Sequence, residues 1–191
     1  MNQVQQYIGA GTLVLLIAMV IVRLVMLRRR GIRAMKFGET DKADFLIPPI
    51  ALFYVYSVLA SAFGWPRVAD HVSFRSEFLG WAGVALCLAA LALFLSSLIS
   101  FGKSFRVGID QDRPGSLVKT GVFAISRNPI YVAFALVLAG EFLVYSTWIR
   151  MLYLLGGMLL LHRQVVREES YLDAQYGEEY AEYRGRVRRY F

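Results

Sequence analysis

Long apolar runs, separated by short segments dense in Arg and Lys, are the feature that most restricts what this chain can fold into. In lipid every backbone N–H and C=O must be satisfied inside its own element, so such runs fold as helices. About twenty apolar residues cross a hydrocarbon layer of about 30 Å. The first run, Tyr7 to Leu27, meets that length and is followed by Arg28-Arg29-Arg30 and the basic segment to Lys36. Cations that follow the run, with no cleavage-type small residues, mark an anchor with a cytoplasmic stop rather than a signal peptide. The second run, Phe45 to Phe63, carries Pro48 and Pro49 in its first turn, where a missing N–H costs little. The third, Phe78 to Phe101, contains Ser96, Ser97 and Ser100, small enough for a neighbouring helix to approach.

After Pro129 the chain is apolar to Leu161, too long for one helix, with a break at Tyr145-Ser146-Thr147-Trp148. This reads as a tight helical hairpin whose turn is anchored at the interface by Tyr145 and Trp148. Glu141 and Arg150 lie symmetrically about the turn and are expected to pair near the outer surface. From His162 onward the sequence is charged and aromatic, predicting short amphipathic helices at the cytoplasmic interface. The fold expected is therefore an all-α membrane protein of about five transmembrane helices. The last two form a hairpin and are followed by short cytoplasmic amphipathic helices. Residues 1–101 read as a three-helix scaffold and 102–191 as a polar loop, the hairpin and a cytoplasmic segment, within one structural domain. Five spans place Arg28 to Lys36, Lys103 to Arg127 and Arg163 to Arg189 together on one side, which the positive-inside rule makes the cytoplasm.

Only 18% of residues are charged, against roughly 25% in soluble domains. The net charge of +7 flanks the apolar runs. It therefore reads as membrane topology, not as a nucleic-acid surface, for which no recognition motif is present. The single cysteine, Cys87, lies in an apolar run, and His71 and His162 are far apart, so no metal site is expected.

Two segments concentrate unusual polar sequence, and both fall at the cytoplasmic mouths of the hairpin. In the first, Leu117 to Phe123 leads into Arg127-Asn128-Pro129-Ile130-Tyr131. Asn128-Pro129 is a good helix start, and a helix start is also a site for an anionic group. In the second, Arg167-Glu168-Glu169 leads to Tyr176-Gly177-Glu178-Glu179-Tyr180 and Tyr183. Carboxylates at a membrane mouth need partners, either a cationic ligand or the neighbouring Arg163 and Arg167. Tyr176, Tyr180 and Tyr183 share a face if the helix is continuous, and Gly177 is placed to end it. Their simplest role is aromatic anchoring at the interface.

The pattern Leu117-Val118, Gly121, Arg127-x-Pro129-x-Tyr131 resembles the first signature of the isoprenylcysteine carboxyl methyltransferase family, which includes phospholipid N-methyltransferases and short bacterial and archaeal homologues. Glu168-Glu169, Leu172, Tyr176-Gly177, Glu179-Tyr180 and Tyr183 resemble its second signature. The match covers about Gly115 to Arg188. The resemblance implies a membrane-embedded methyltransferase that uses S-adenosyl-L-methionine and releases S-adenosyl-L-homocysteine. Its partners would be a lipophilic or lipidated substrate and membrane lipids. It implies that Ser116, Leu117, Val118, Phe123, Asn128, Pro129, Ile130, Tyr131, Glu168 and Glu169 form the cofactor site, with Phe123 at a position usually tyrosine and Asn128 at one usually histidine. An arginine that orients a substrate carboxylate falls on Gln164 here, with Arg163 and Arg167 beside it. Glu168, Arg163 and Arg167 are thus the catalytic candidates. The acceptor, a prenylcysteine carboxylate, a phospholipid amine or a thiol, stays open, as does a non-catalytic scaffold that kept the fold. No glycine-rich loop of the soluble dinucleotide-binding kind is present.

Overall fold

The computed structural model describes residues 2–29, 47–66, 71, 76–101 and 117–191. Six helices account for nearly all of them: α1 (Gln3–Arg29), α2 (Ile47–Phe63), α3 (Glu77–Phe101), α4 (Pro129–Tyr145), α5 (Trp148–Tyr176) and α6 (Glu178–Arg186). A 3₁₀ turn, Gly121–Ala124, precedes α4. The protein is an all-α membrane protein. Helices α1, α3 and α5 are long and apolar enough to cross a bilayer, while α2 and α4 are shorter apolar helices of 17 residues each. At 1.5 Å per residue those two span about 25 Å, somewhat less than the hydrocarbon thickness. The expected basic segment to Lys36, the loop around Asp70, and Lys103, Arg106, Arg113 and Ser116 lie outside the described residues.

The most extensive packing is between α3 and α4. The serines expected to permit close approach are not what permits it, since Ser96, Ser97 and Ser100 all lie toward the other end of α3. Contact is made at Gly83, Cys87 and Gly140. A methyl group built on Gly83 would sit 2.6 Å from the Gly140 carbonyl oxygen, and one on Gly140 would sit 2.6 Å from Cys87 Sγ. Only hydrogen at both positions lets the two backbones meet. Further along the same interface the rings of Phe94 and Phe134 pack 5.6 Å apart.

The bundle has two ends of different character. At one end the start of α1 meets the start of α3 and the α4–α5 turn. Gln5 Nε2 donates to the Glu77 carbonyl (3.1 Å), Tyr145 Oη donates to the Gln6 carbonyl (2.8 Å), and Tyr7 packs on Phe63 of α2. Tyr145 is thus fully buried against α1 instead of lying at the interface, whereas Trp148 is exposed as expected. The turn is closed by Ser146 in the left-handed region (φ 46°) and by Thr147, whose hydroxyl accepts from the Arg150 amide.

Glu141 and Arg150 interact electrostatically, but no hydrogen bond joins them. Arg150 Nη2 donates to the Ser57 carbonyl (2.7 Å) and to Ser61 Oγ (3.0 Å) of α2, and its guanidinium lies over the Tyr145 ring. Glu141 is fully buried against Gly9 of α1, and its oxygens have no hydrogen-bond partner among the described residues. The turn points the Arg150 donors toward α2 and the Glu141 carboxyl toward α1, yet the two side chains stay near enough to interact electrostatically.

At the other end α5 does not stop with its apolar half. It continues as one helix through His162 to Tyr176, because no breaker intervenes before Gly177 (φ 52°). The expected string of short helices after His162 is therefore one helical extension and a single short helix, α6, folded back against it.

Candidate active site

The sequence segments 117–131 and 162–191 meet at the end of the bundle where α4 begins and α5 leaves the apolar layer. Leu117 and Val118 are half-buried and lead into the 3₁₀ turn. That turn is seated on the end of α3. The Val122 amide donates to Ser100 Oγ (3.4 Å), and the Phe123 ring packs edge-on against Phe101 with centroids 4.5 Å apart. Gly121, at φ 64°, lies so close to Ser100 that a side chain would collide with its hydroxyl.

Pro129 is the first residue of α4, as the sequence predicts. Asn128 precedes it, but its side chain does not cap the helix. Both N–H groups of its amide are used elsewhere. Nδ2 donates to Glu169 Oε1 (2.9 Å) and to the Arg189 carbonyl (3.2 Å). These two bonds, one of them to a charged acceptor, fix the orientation of the amide, and its Oδ1 takes no hydrogen bond from a first-turn N–H.

Glu169 is the hub. Besides Asn128 it meets Arg127 Nη2 (3.3 Å) through Oε1 and Arg189 Nε and Nη2 (3.0 and 2.9 Å) through Oε2. Arg127 and Glu169 are both buried, and Arg189 is 41% exposed. The Arg127 amide donates to the Arg188 carbonyl (3.0 Å), and Ser126 and Arg188 form a parallel bridge.

Glu168, one residue earlier, faces a different group. Its Oε1 accepts from Tyr131 Oη (2.5 Å) and more weakly from Gln164 Nε2 (3.4 Å). Tyr131 and Glu168 thus join the first turn of α4 to the polar half of α5. Ile130 packs against the apolar core. Arg163 is exposed and Arg167 half-buried on the same stretch of α5.

Helix α6 and the residues after it cover the assembly. Tyr183 donates to the Phe123 carbonyl (2.6 Å), Lys119 pairs with Glu179 (2.7 Å), and His162 Nδ1 meets Tyr190 Oη (2.7 Å). Tyr180 and Tyr183 are buried in protein, so they pack the cap instead of anchoring an interface. Burial, and then neighbouring Glu169 for Tyr180 and Tyr180 for Tyr183, push both phenols up to about 12.

An unfolded tyrosine ionises near 10, so the fold favours the protonated phenol. That contribution is whole below about pH 10 and is lost as pH rises through 12. Alkaline titration is expected to release the α6 cap cooperatively between those values, with tyrosinate absorbance rising late. A simple rise centred on pH 10, unchanged in Tyr183→Phe, would contradict this.

The chemistry offered is of both signs. Glu168 is a carboxylate held in place by two donors. Arg127 Nε and Nη1 are buried N–H groups without hydrogen-bond partners among the described residues, beside the N-terminus of α4. A zwitterionic ligand that also carries a fixed cation fits such a pair of opposed groups. Sequence reasoning placed Asn128, Tyr131, Glu168 and Glu169 near one another and passed over Arg189. Its position in a run of tail cations looked like ordinary topology, and no local signal distinguishes the one that turns inward.

A model of the phospholipid methyltransferase family matches residues 78–179, 102 of the 191 residues, from the first turn of α3 to the first turn of α6. None of the curated proteins matches the chain significantly.

Proposed function

The chain belongs to the phospholipid methyltransferase family, and from that premise we propose that it transfers a methyl group from S-adenosyl-L-methionine to a lipophilic acceptor at the membrane surface. One observation carries the reading. The start of α4, with N–H groups of buried Arg127 that have no hydrogen-bond partner among the described residues, faces the same cluster as the held carboxylate of Glu168. The first suits the carboxylate of the cofactor, and the second suits its ammonium or sulfonium. When bound, the cofactor supplies an electrophilic methyl group on sulfur.

The residues divide the remaining work. Tyr131 and Gln164 fix Glu168 in one orientation, so no reorganisation is needed when a cation arrives. Phe123, seated on Phe101, keeps its own 3₁₀ turn against α3 and sets the position of Leu117 and Val118, the proposed adenosine-side wall. The α6 cap excludes water over the site, which strengthens every charge interaction beneath it. Arg163 and Arg167, on the same stretch of α5 as Glu168, are the proposed contacts for an anionic acceptor group. Glu169 is a poor candidate for a proton acceptor, because Asn128, Arg127 and Arg189 already occupy its oxygens. A carboxylate or thiolate acceptor carries no proton to remove. An amine acceptor has Glu168 as the available base.

The described Lys and Arg residues, apart from Arg150, gather at the end of the bundle that holds this cluster. By the positive-inside rule that end faces the cytoplasm, where the cofactor is made available.

Calorimetry on detergent-purified protein is expected to show one S-adenosyl-L-homocysteine site. Incubation of membranes with methyl-labelled cofactor is expected to place label in the lipid fraction, and mass analysis of that product identifies the acceptor. Absence of cofactor binding overturns the reading. Binding without transfer to any lipid or prenylated peptide favours the non-catalytic scaffold.

A further inference from the structure

We propose that residues 187–191 act as a strap that positions the start of α4 against α5, with Arg189 as the positioning residue for the candidate cofactor site. The inference rests on the methyltransferase reading but concerns residues beyond the family match, which ends at residue 179.

Six contacts tie this segment down, and they reach both halves of the site. Arg188 pairs through its backbone with Ser126 and accepts from the Arg127 amide. The Arg189 carbonyl accepts from Asn128, and its guanidinium makes two bonds to Glu169 Oε2. Tyr190 meets His162, the residue that follows the apolar half of α5. The residues bridged are therefore 126–128 immediately before α4 and 162–169 on α5. None of the six contacts uses a group needed to touch a ligand at Glu168 or at Arg127 Nε and Nη1.

The geometry explains why a strap is needed. Asn128 does not cap α4, so the helix start lacks its usual local device. Its position is set from outside instead, by the Asn128–Glu169 bond and the Arg188 and Arg189 carbonyls. Arg189 also supplies the second of the two cations around Glu169. With both present, Glu169 is held between Arg127 on one oxygen and Arg189 on the other. With Arg189 removed, Arg127 is free to turn further toward Glu169 and away from the ligand side. Arg189 thus acts on the site through Arg127 and Asn128, not by contact with the ligand.

The test compares wild type, Arg189→Gln and Arg189→Lys as full-length protein in detergent, with S-adenosyl-L-homocysteine as the probe. Calorimetry separates affinity from the fraction of competent protein. A positioning role predicts that Arg189→Gln weakens binding by about tenfold, the loss of a partly screened charge-assisted bond, at unchanged stoichiometry. Arg189→Lys is expected to restore most of it. Hydrogen exchange without ligand gives an independent readout: the Arg127 amide, bonded to Arg188, should exchange faster in Arg189→Gln.

Unchanged affinity and unchanged Arg127 exchange in Arg189→Gln overturn the strap. So does a fall in stoichiometry alone, which would mark a purely structural role. Failure of wild type to bind the probe overturns the methyltransferase reading instead, and faster Arg127 exchange in the variant would still report the strap's hold on residues 126–128.

Discussion

Glu169→Ala is expected to lose S-adenosyl-L-homocysteine binding and to destabilise the protein by about 3–5 kcal/mol, the cost of removing one partner from a buried ion pair. The size follows from what is left behind. Arg127, buried with only 8% of its side chain exposed, would lose its counter-charge while the surrounding fold still excludes water from it. Asn128 would lose the acceptor for one amide N–H, and Arg189 both of its bonds. Glu169→Gln keeps the shape and one acceptor oxygen, so its loss should be smaller. Thermal melting in detergent, read alongside calorimetric binding, checks both effects. Glu182→Ala provides the comparison: Glu182 pairs with Arg186 on the exposed face of α6. Exposed pairs of this kind contribute about 0–1 kcal/mol, so that variant should melt close to wild type. Equal melting of Glu169→Ala and Glu182→Ala would show that the buried hub does not hold the cap.

Gly83→Val is expected to be the most damaging single change within the membrane. Its first added carbon would lie 2.6 Å from the backbone oxygen of Gly140 and 2.9 Å from Leu143 Cβ. Backbone cannot swing aside as a long side chain does, so α3 and α4 must separate. Overpacking of a filled interface typically costs about 1–3 kcal/mol. The cost here falls at or above the upper end, because the whole α3–α4 contact loosens. The seat of Phe123 on Phe101 depends on the same two helices, so cofactor binding should weaken together with stability. Gly11→Ala, where a methyl group meets nothing within 4 Å, should be neutral. Melting of the two variants side by side decides the matter, and a Gly83→Val protein as stable as Gly11→Ala would remove the close crossing from the account.

Those glycines also mark how far the sequence reading reached. Hydropathy located the first four apolar helices and the start of α5 to within a few residues, because in lipid a helix has to satisfy its own backbone and its length is set by the bilayer; it did not show that α5 continues past Leu161 to Tyr176. Which faces meet was not readable from hydropathy. Leu and Ala are equally at home against lipid and against protein, so α3 shows no apolar stripe, and the serines drew attention away from Gly83. Glu141 and Arg150 interact without a hydrogen bond for a related reason. Their symmetric spacing about Ser146-Thr147 is a property of the chain, whereas the helical phase on either side of the turn sends one to α1 and the other to α2.

At the site, the motif residues were legible because charged and aromatic side chains stand out beside apolar helices. Their partners were not. Asn128 reads as a cap, and only the folded arrangement brings Glu169 within reach of its amide. Tyr180 and Tyr183 read as interfacial, and only α6 turning back at Gly177 buries them.

The unbroken course of α5 has a consequence for the whole assembly. Between the turn at Ser146-Thr147 and the first break at Gly177 there is no joint. Glu168 and Glu169 therefore stand at a height and an angle fixed by residue count, about 1.5 Å and 100° for each position along the rod. The helix serves as a ruler. Its apolar half takes its depth from the thickness of the bilayer, and its polar half converts that depth into the elevation at which the two acids meet the start of α4.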